Sequence, residues 1–508
     1  MHHAGLGTRP RAGRNSARAA VSAGSMRPIR SAVAAALLAC ALAAAPAHGA
    51  ARLVVSGAGF GHGIGMSQYG AMGYARAGAG HAAILAHYYS GTQLGALGGP
   101  QGVRVLLKTA SRIAFAGASS IAGARTLDPA QTYEAVRGLS GGVLLRSRSG
   151  RDLGTYVAPL TITGGPGGIQ VRGRTQNGVT SGNYRGNLEL RPAAIGGMSA
   201  INALDLESYV RGVVGGEMPP SWPQEALRAQ AVAARTYALA TSKAGDGFDQ
   251  YADTRSQVYD GMSGERPSTD AAVAGTAGEI VVFAGKPIVT YYFSTSGGRT
   301  ENIENSFLGA TPEPYLVSVE DPYDGASPRH RWTRRLTIRG AKKRLGSLLK
   351  GSLRQIRVLQ RGRSPRVVRA EIVGSGGRTR VSGPQLRSKL GLFDTWARFT
   401  VITSNATHSD GDKPQAPGPA GTSAGGARPR AIRRFAAVAL PVAGTISGQV
   451  EPAVAGAPIV VERWSGAAWV EQFDIPARAS GRYYAPLHRS GLYRVRHAGA
   501  AGPAVRVR

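Results

Sequence analysis

The chain has 508 residues, 43% of them hydrophobic and 18% charged, which is long enough for two or three domains with sizeable cores and too apolar for global disorder. Its formal net charge is +32, and its one cysteine, Cys40, lies in a segment expected to be removed. The mature protein then has no thiol, which excludes a disulfide framework and a cysteine-based metal site.

Residues 1–49 read as a leader. Met26-Arg-Pro-Ile-Arg is followed by the apolar run SAVAAALLACALAAA and by PAHGAA. A basic start, a short apolar run and small residues at the end make a secretory signal, with cleavage expected after Ala47 or Gly49. The Arg- and Gly-rich stretch before Met26 is either an extended basic region or a sign that translation starts at Met26. LLAC at 37–40 loosely resembles a lipoprotein box, but Leu38 and the apolar run after Cys40 argue against lipid anchoring. The expected location is secreted or envelope-associated.

Next comes GAGFGHGIGMSQYG, residues 57–70. Alternating glycines give up packing and backbone entropy, and in a strand-like stretch they mark a bulge or a close approach. The spacing is not the dinucleotide fingerprint, and no acid follows at the required distance. His62, with glycine on both sides, is either a site residue or a structural hydrogen-bonding group. His81 and His87 lie six apart on the expected helix GHAAILAHYYSG, so they do not share a face as zinc ligands would.

Two further helices are legible. In LDLESYVRGVVGGEM, Leu206, Tyr209, Val210, Val213 and Val214 follow the helical period, Asp205 is the expected N-cap, and Gly215 and Gly216 are expected to stop the helix. In SWPQEALRAQAVAARTYALATSK, Ser221 and Gln224 have capping-box spacing. Leu227, Gln230, Ala231, Ala234 and Ala238 share a face. Glu217-Met-Pro-Pro is then a short rigid corner ahead of a positive helix end, which suits a general acid; an ordinary helix-terminal charge is the plainer alternative. YYFSTSGGRTEN at 291–302 offers a Ser/Thr/Gly turn without the patterns of a serine nucleophile.

Between Arg329 and Leu390 there are 19 Lys and Arg against one acid, Glu371. This basic subregion is either a solvated face or a site for an anionic polymer. No nucleic-acid motif accompanies the charge, and export points outward, to anionic wall polymers or acidic lipids. Residues 404–430 are rich in Pro, Gly, Ser and Ala and read as a flexible linker. Residues 434–508 alternate in short runs, as in a small all-β sandwich.

GFGHGIGMSQYGAMGYARAG, INALDLESYVRGVVGGEMPPSWPQEALRAQAVAARTYAL, DTRSQVYDG and YYFSTSGGRTEN together resemble the SpoIID/LytB family of bacterial cell-wall proteins, over about residues 52–402. The resemblance implies an α+β fold, with a SpoIID-like domain of mixed strands and helices over 51–403 ahead of the small β domain. It also implies an extracytoplasmic lytic transglycosylase of peptidoglycan glycan strands, with the glutamate of the E-M-P motif, here Glu217, as catalytic acid and base. Substrate contacts are expected from His62, Gln68, Gln230, Arg235 and Ser296, with the glycines as a wall for the glycan. No metal or cofactor is expected; the cysteines with which some members bind zinc are missing.

In the sporulation members of the family the glycine–histidine motif comes late, whereas here it comes first. One site built from both orders needs the two ends of the domain to lie close together. The family also contains amidase enhancers. A non-catalytic glycan-binding protein, with an amidase as partner, is therefore the alternative; a scaffold acting through the C-terminal β domain is another. Glu301 is the reserve candidate for the acid.

Overall fold

The computed structural model describes residues 50–242, 247–408, 442–454 and 456–507. The leader with Met26, Cys40 and the expected cleavage site, and most of the expected linker, lie outside them. Among the described residues no helix is long and apolar enough to cross a membrane.

Strand β1 (Ala50–Ala58) organises the molecule through its alternation. Leu53 and Val55 enter a core with Trp332 and Phe399, while Val54, on the opposite face, packs with Ile402, Ile446 and Val450. β1 lies in one antiparallel sheet with β2 (Arg331–Thr337), β3 (Ala397–His408), β4 (Gly444–Glu451) and β5 (Arg482–Leu487), in the order β2–β1–β3–β4–β5. The linker expected from residue 404 is corrected at its start: 404–408 continue β3 and pair with 444–448 of β4. Backbone pairing overrides the polar composition there. All named elements from 444 onward are strands, and their core borrows Val54 and Ile402 from the preceding region.

The basic subregion is a folded layer. A three-stranded sheet (353–361, 367–374, 377–382) and the helices Ile338–Leu345 and Gly383–Leu390 enclose Leu345, Ile356, Ala370 and Leu386. Residues 102–205 form most of two further sheets, of seven and six strands, over a shared core that includes Phe115, Leu145, Ile162 and Leu188.

Four helices frame the remaining volume: α1 (Gln68–Arg76), α2 (His81–Tyr88), α3 (Leu206–Glu217) and α4 (Gln224–Ala240). α4 is central. Ala231, Ala234 and Ala238 enter the core beneath the two large sheets, while Leu227, Val232 and Ala233 enter a second core with Leu85 and Tyr88 of α2. Its alanines let elements on both sides approach closely, and tertiary burial rather than amphipathicity holds it.

Candidate active site

α3 forms as its periodicity predicts: Leu206, Tyr209, Val210, Val213 and Val214 are buried, and the Asp205 carboxylate accepts the Ser208 N–H. The expected stop at Gly215–Gly216 is corrected. The helix runs through both to Glu217, because a side chain at Gly215 would collide with the Gly264 carbonyl, and the missing Cβ lets that loop pack on the helix. The expected capping box at Ser221 is also corrected. Trp222 precedes a proline and Pro223 has extended ψ, so the chain enters α4 only at Gln224, with no side-chain cap.

Glu217 therefore ends α3 at the rigid Met-Pro-Pro corner and opens onto a cleft of about 670 Å³. Its Oε1 accepts the Val258 N–H at 2.9 Å. Enclosure pushes the carboxyl above its ordinary value of 4.5, against the Val258 N–H and the nearby polar side chains of Gln68 and Tyr292, which favour the charged form. Among the described residues lining the cleft, Glu217 is the only carboxylate and Arg255 the only permanent cation. The walls are Phe60, Tyr237, Tyr291, Tyr292 and Phe307, with Gln68 and Gln257 among the polar groups between them.

The early and late motifs meet here. Met66–Ser67 pairs in parallel with Tyr292–Phe293, and Phe60 bridges Thr295, so β1 and its continuation carry the glycine–histidine segment to the strand that bears Tyr292. Among the described residues lining the cleft Gly61 is the one glycine, so the expected wall is narrowed to that position, and the glycines of the run otherwise serve close packing. Their missing side chains are replaced by protein: a Cβ on Gly61 would lie 2.7 Å from Phe293, and one on Gly63 would lie 2.5 Å from the Arg366 guanidinium. Gly63 also has φ +85°, which disfavours any other residue. Arg366 itself is buried and paired with Asp394 at 2.9 Å.

The structure brings three of the six expected site residues to the cleft: Glu217, His62 and Gln68. Both His62 nitrogens are committed. Nδ1 accepts the Ile64 N–H and Nε2 donates to the Tyr292 carbonyl, each at 3.1 Å. Burial, then the Arg387 charge, pushes its pKa down to about 3. It is a neutral brace for the Tyr292 strand. Gln68 donates to the Glu217 carbonyl at 3.2 Å and to Gln230 Oε1 at 3.4 Å. Gln230 is fully buried behind it.

Arg235 and Ser296 are corrected as cleft residues, because neither lines it. Arg235, fully buried, holds Glu207 of α3 with two hydrogen bonds of 2.7 Å. Ser296, fully buried, donates to Asp324 of a later turn at 2.9 Å. The sequence reading missed Tyr292, whose hydroxyl donates to Gln257 at 2.8 Å, together with Gln257 and Arg255. Both motifs were recognised, but nothing local marks which of their residues turn toward Glu217.

The other two histidines weighed from the sequence, His81 and His87, are tied to the scaffold. His81 joins Glu225 and Glu279 at 2.9 and 3.0 Å, and His87 meets the Tyr74 hydroxyl.

A family model described as SpoIID, Stage II sporulation protein, matches residues 194–283, the segment with α3, α4, Glu217 and Gln257. Stage II sporulation protein D of Bacillus amyloliquefaciens is 34% identical over 236 residues, which cover 42% of this chain and 67% of that protein. The protein of the same name from Bacillus subtilis (strain 168) is 35% identical over 237 residues, with the same coverage of 42% and 67%. The amidase enhancer of Bacillus subtilis (strain 168) is 38% identical over 124 residues, covering 24% of this chain and 16% of that protein.

Proposed function

This chain belongs to the SpoIID family, and on that footing we propose that it is an exported cell-wall enzyme that cleaves peptidoglycan glycan strands by lytic transglycosylation. The observation that carries this reading is the single half-buried carboxyl of Glu217 in an aromatic-walled cleft, with its pKa raised and no second carboxylate lining the cleft among the described residues.

An ordinary glycosidase needs two carboxyl groups, one as acid and one as base or nucleophile. One suffices when the nucleophile belongs to the substrate. Protonated Glu217 gives its proton to the glycosidic oxygen as the bond from that oxygen to the anomeric carbon of the muramic acid breaks. The C6 hydroxyl of the same sugar closes on the anomeric carbon, and its proton returns to Glu217. The products are an anhydro-muramic end and a free hydroxyl, with no water consumed. Intramolecular attack has an effective molarity of about 10⁵ to 10⁸ M, which removes the need for an activated water. The raised pKa keeps Glu217 protonated nearer to neutral pH, as a general acid requires.

The basic subregion would hold the enzyme on anionic wall polymers. The similarity to an amidase enhancer supports a second reading, in which the same cleft binds glycan without cutting it and an amidase is the partner. Mass analysis of products from purified peptidoglycan separates the two: anhydro-muramic ends are expected. Intact strands with retained binding would leave the enhancer reading.

A further inference from the structure

Among the described residues lining the cleft one is a permanent cation, Arg255, and its geometry is unusually constrained. Arg255 donates from Nε to Asp253 Oδ1 and from Nη2 to Asp253 Oδ2, each at 2.8 Å, and from Nη2 to Gln176 Oε1 at 2.6 Å. Its guanidinium lies 3.9 Å over the Tyr251 ring. Three of the five guanidinium donors are thus used, and among the described residues none of the partners is on Nη1. Half of the side chain stays exposed. The group is held in one rotamer with its remaining two N–H donors uncommitted, so little side-chain entropy is lost when an acceptor arrives. Asp253 offsets the charge without covering that edge.

We propose that Arg255 is the anion-recognising residue of the cleft, taking a carboxylate carried on a substituent of the glycan. This rests on the glycan-cleft reading and adds a specificity to it. The chemistry follows from the donor set, since an N–H pair on a planar cation favours a carboxylate over a hydroxyl through charge-assisted hydrogen bonds. Two sources carry that chemistry in peptidoglycan: the lactyl carboxylate of a peptide-free muramic acid, and the carboxylates of a stem peptide. The uncharged glucosamine units offer none.

The test measures binding by calorimetry with Glu217→Gln, which removes turnover. The probes are peptide-free glycan fragments, the same fragments with their carboxyl groups reduced to alcohols, and peptide-bearing fragments. A charge-assisted hydrogen bond corresponds to roughly a 10- to 100-fold preference. That preference is expected for one carboxylate-bearing form over the reduced form, and the form preferred identifies the source. Adding Arg255→Gln should abolish the preference and leave the affinity for reduced fragments unchanged.

Equal binding of carboxylate and reduced forms overturns the role of Arg255 while leaving the glycan cleft intact. An equal loss for every probe in Arg255→Gln makes the residue a brace for its loop and likewise overturns the proposal. If the folded Glu217→Gln protein binds no fragment at all, the glycan reading falls first and takes this one with it.

Discussion

Two glutamates frame the same region and differ in what surrounds them. Glu301 is fully buried and accepts from the N–H groups of Asn302, Arg363 and Ser364, from the Ser364 hydroxyl and from Asn305, at 2.6 to 3.0 Å. Every lone pair has work, and the carboxylate clamps the basic subregion's loop at 362–364 to the strand-and-turn segment that follows Tyr292. Glu217 has one backbone donor at 2.9 Å and an oxygen toward the cleft. Burial alone does not make an acid; what distinguishes a reactive carboxyl is enclosure with its hydrogen-bonding capacity unfilled.

The contrast is sharpest in turnover. Glu217→Gln keeps volume and the Val258 hydrogen bond but cannot deliver a proton, so release of anhydro-muramic products should fall by about 10² to 10⁴ or more, with glycan binding and the fold nearly unchanged. A variant that still produced them at the parent rate would reduce Glu217 to a helix-end charge.

Glu301→Ala should behave in the opposite way. It strands several buried donors, and a loss on the order of 3 kcal/mol is expected in chemical denaturation. Any fall in activity should track the unfolded fraction. Activity lost from a protein of undiminished stability would break the comparison and reinstate Glu301 as an acid.

The pH dependence of stability sharpens it further. Since the folded pKa of Glu217 lies above 4.5, its contribution is fully present below 4.5 and is lost as pH rises through the raised value. Stability of the parent relative to Glu217→Gln should therefore decline with pH above 4.5. His62 acts in the reverse sense. Its folded value of about 3 lies below the ordinary 6.5, so its contribution is present above 6.5 and fades as pH falls toward 3. His62→Gln should flatten that acid arm, as followed by denaturation midpoints at stepped pH.

The smallest effect expected is on wall attachment. Among the described residues, exposed Arg335, Arg339, Lys342 and Lys343 have no carboxylate in ion-pair range, and exposed charge is screened over about 10 Å at 0.1 M salt. Sedimentation with purified walls should weaken several-fold from low to high salt. Equal binding at both would make the charge a solvated surface.

The sequence alone determined the elements whose signals are local. The 3.6-residue period fixed α3, the carboxylate at Asp205 capped it, and the Met-Pro-Pro run after Glu217 placed one carboxyl on a rigid corner. The basic run also needed nothing beyond its own residues.

Only the tertiary structure decided what each residue meets. It carried α3 through Gly215 because another loop's carbonyl packs there, and it filled the spaces beside Gly61 and Gly63 with Phe293 and Arg366. It buried Gln230, Arg235 and Ser296 and turned Tyr292, Gln257 and Arg255 to the cleft. The reason is physical: periodicity and capping are properties of one segment and are written in it, whereas a close approach or a hydrogen-bond partner far away in sequence belongs to two segments at once and exists only when the chain has brought them together.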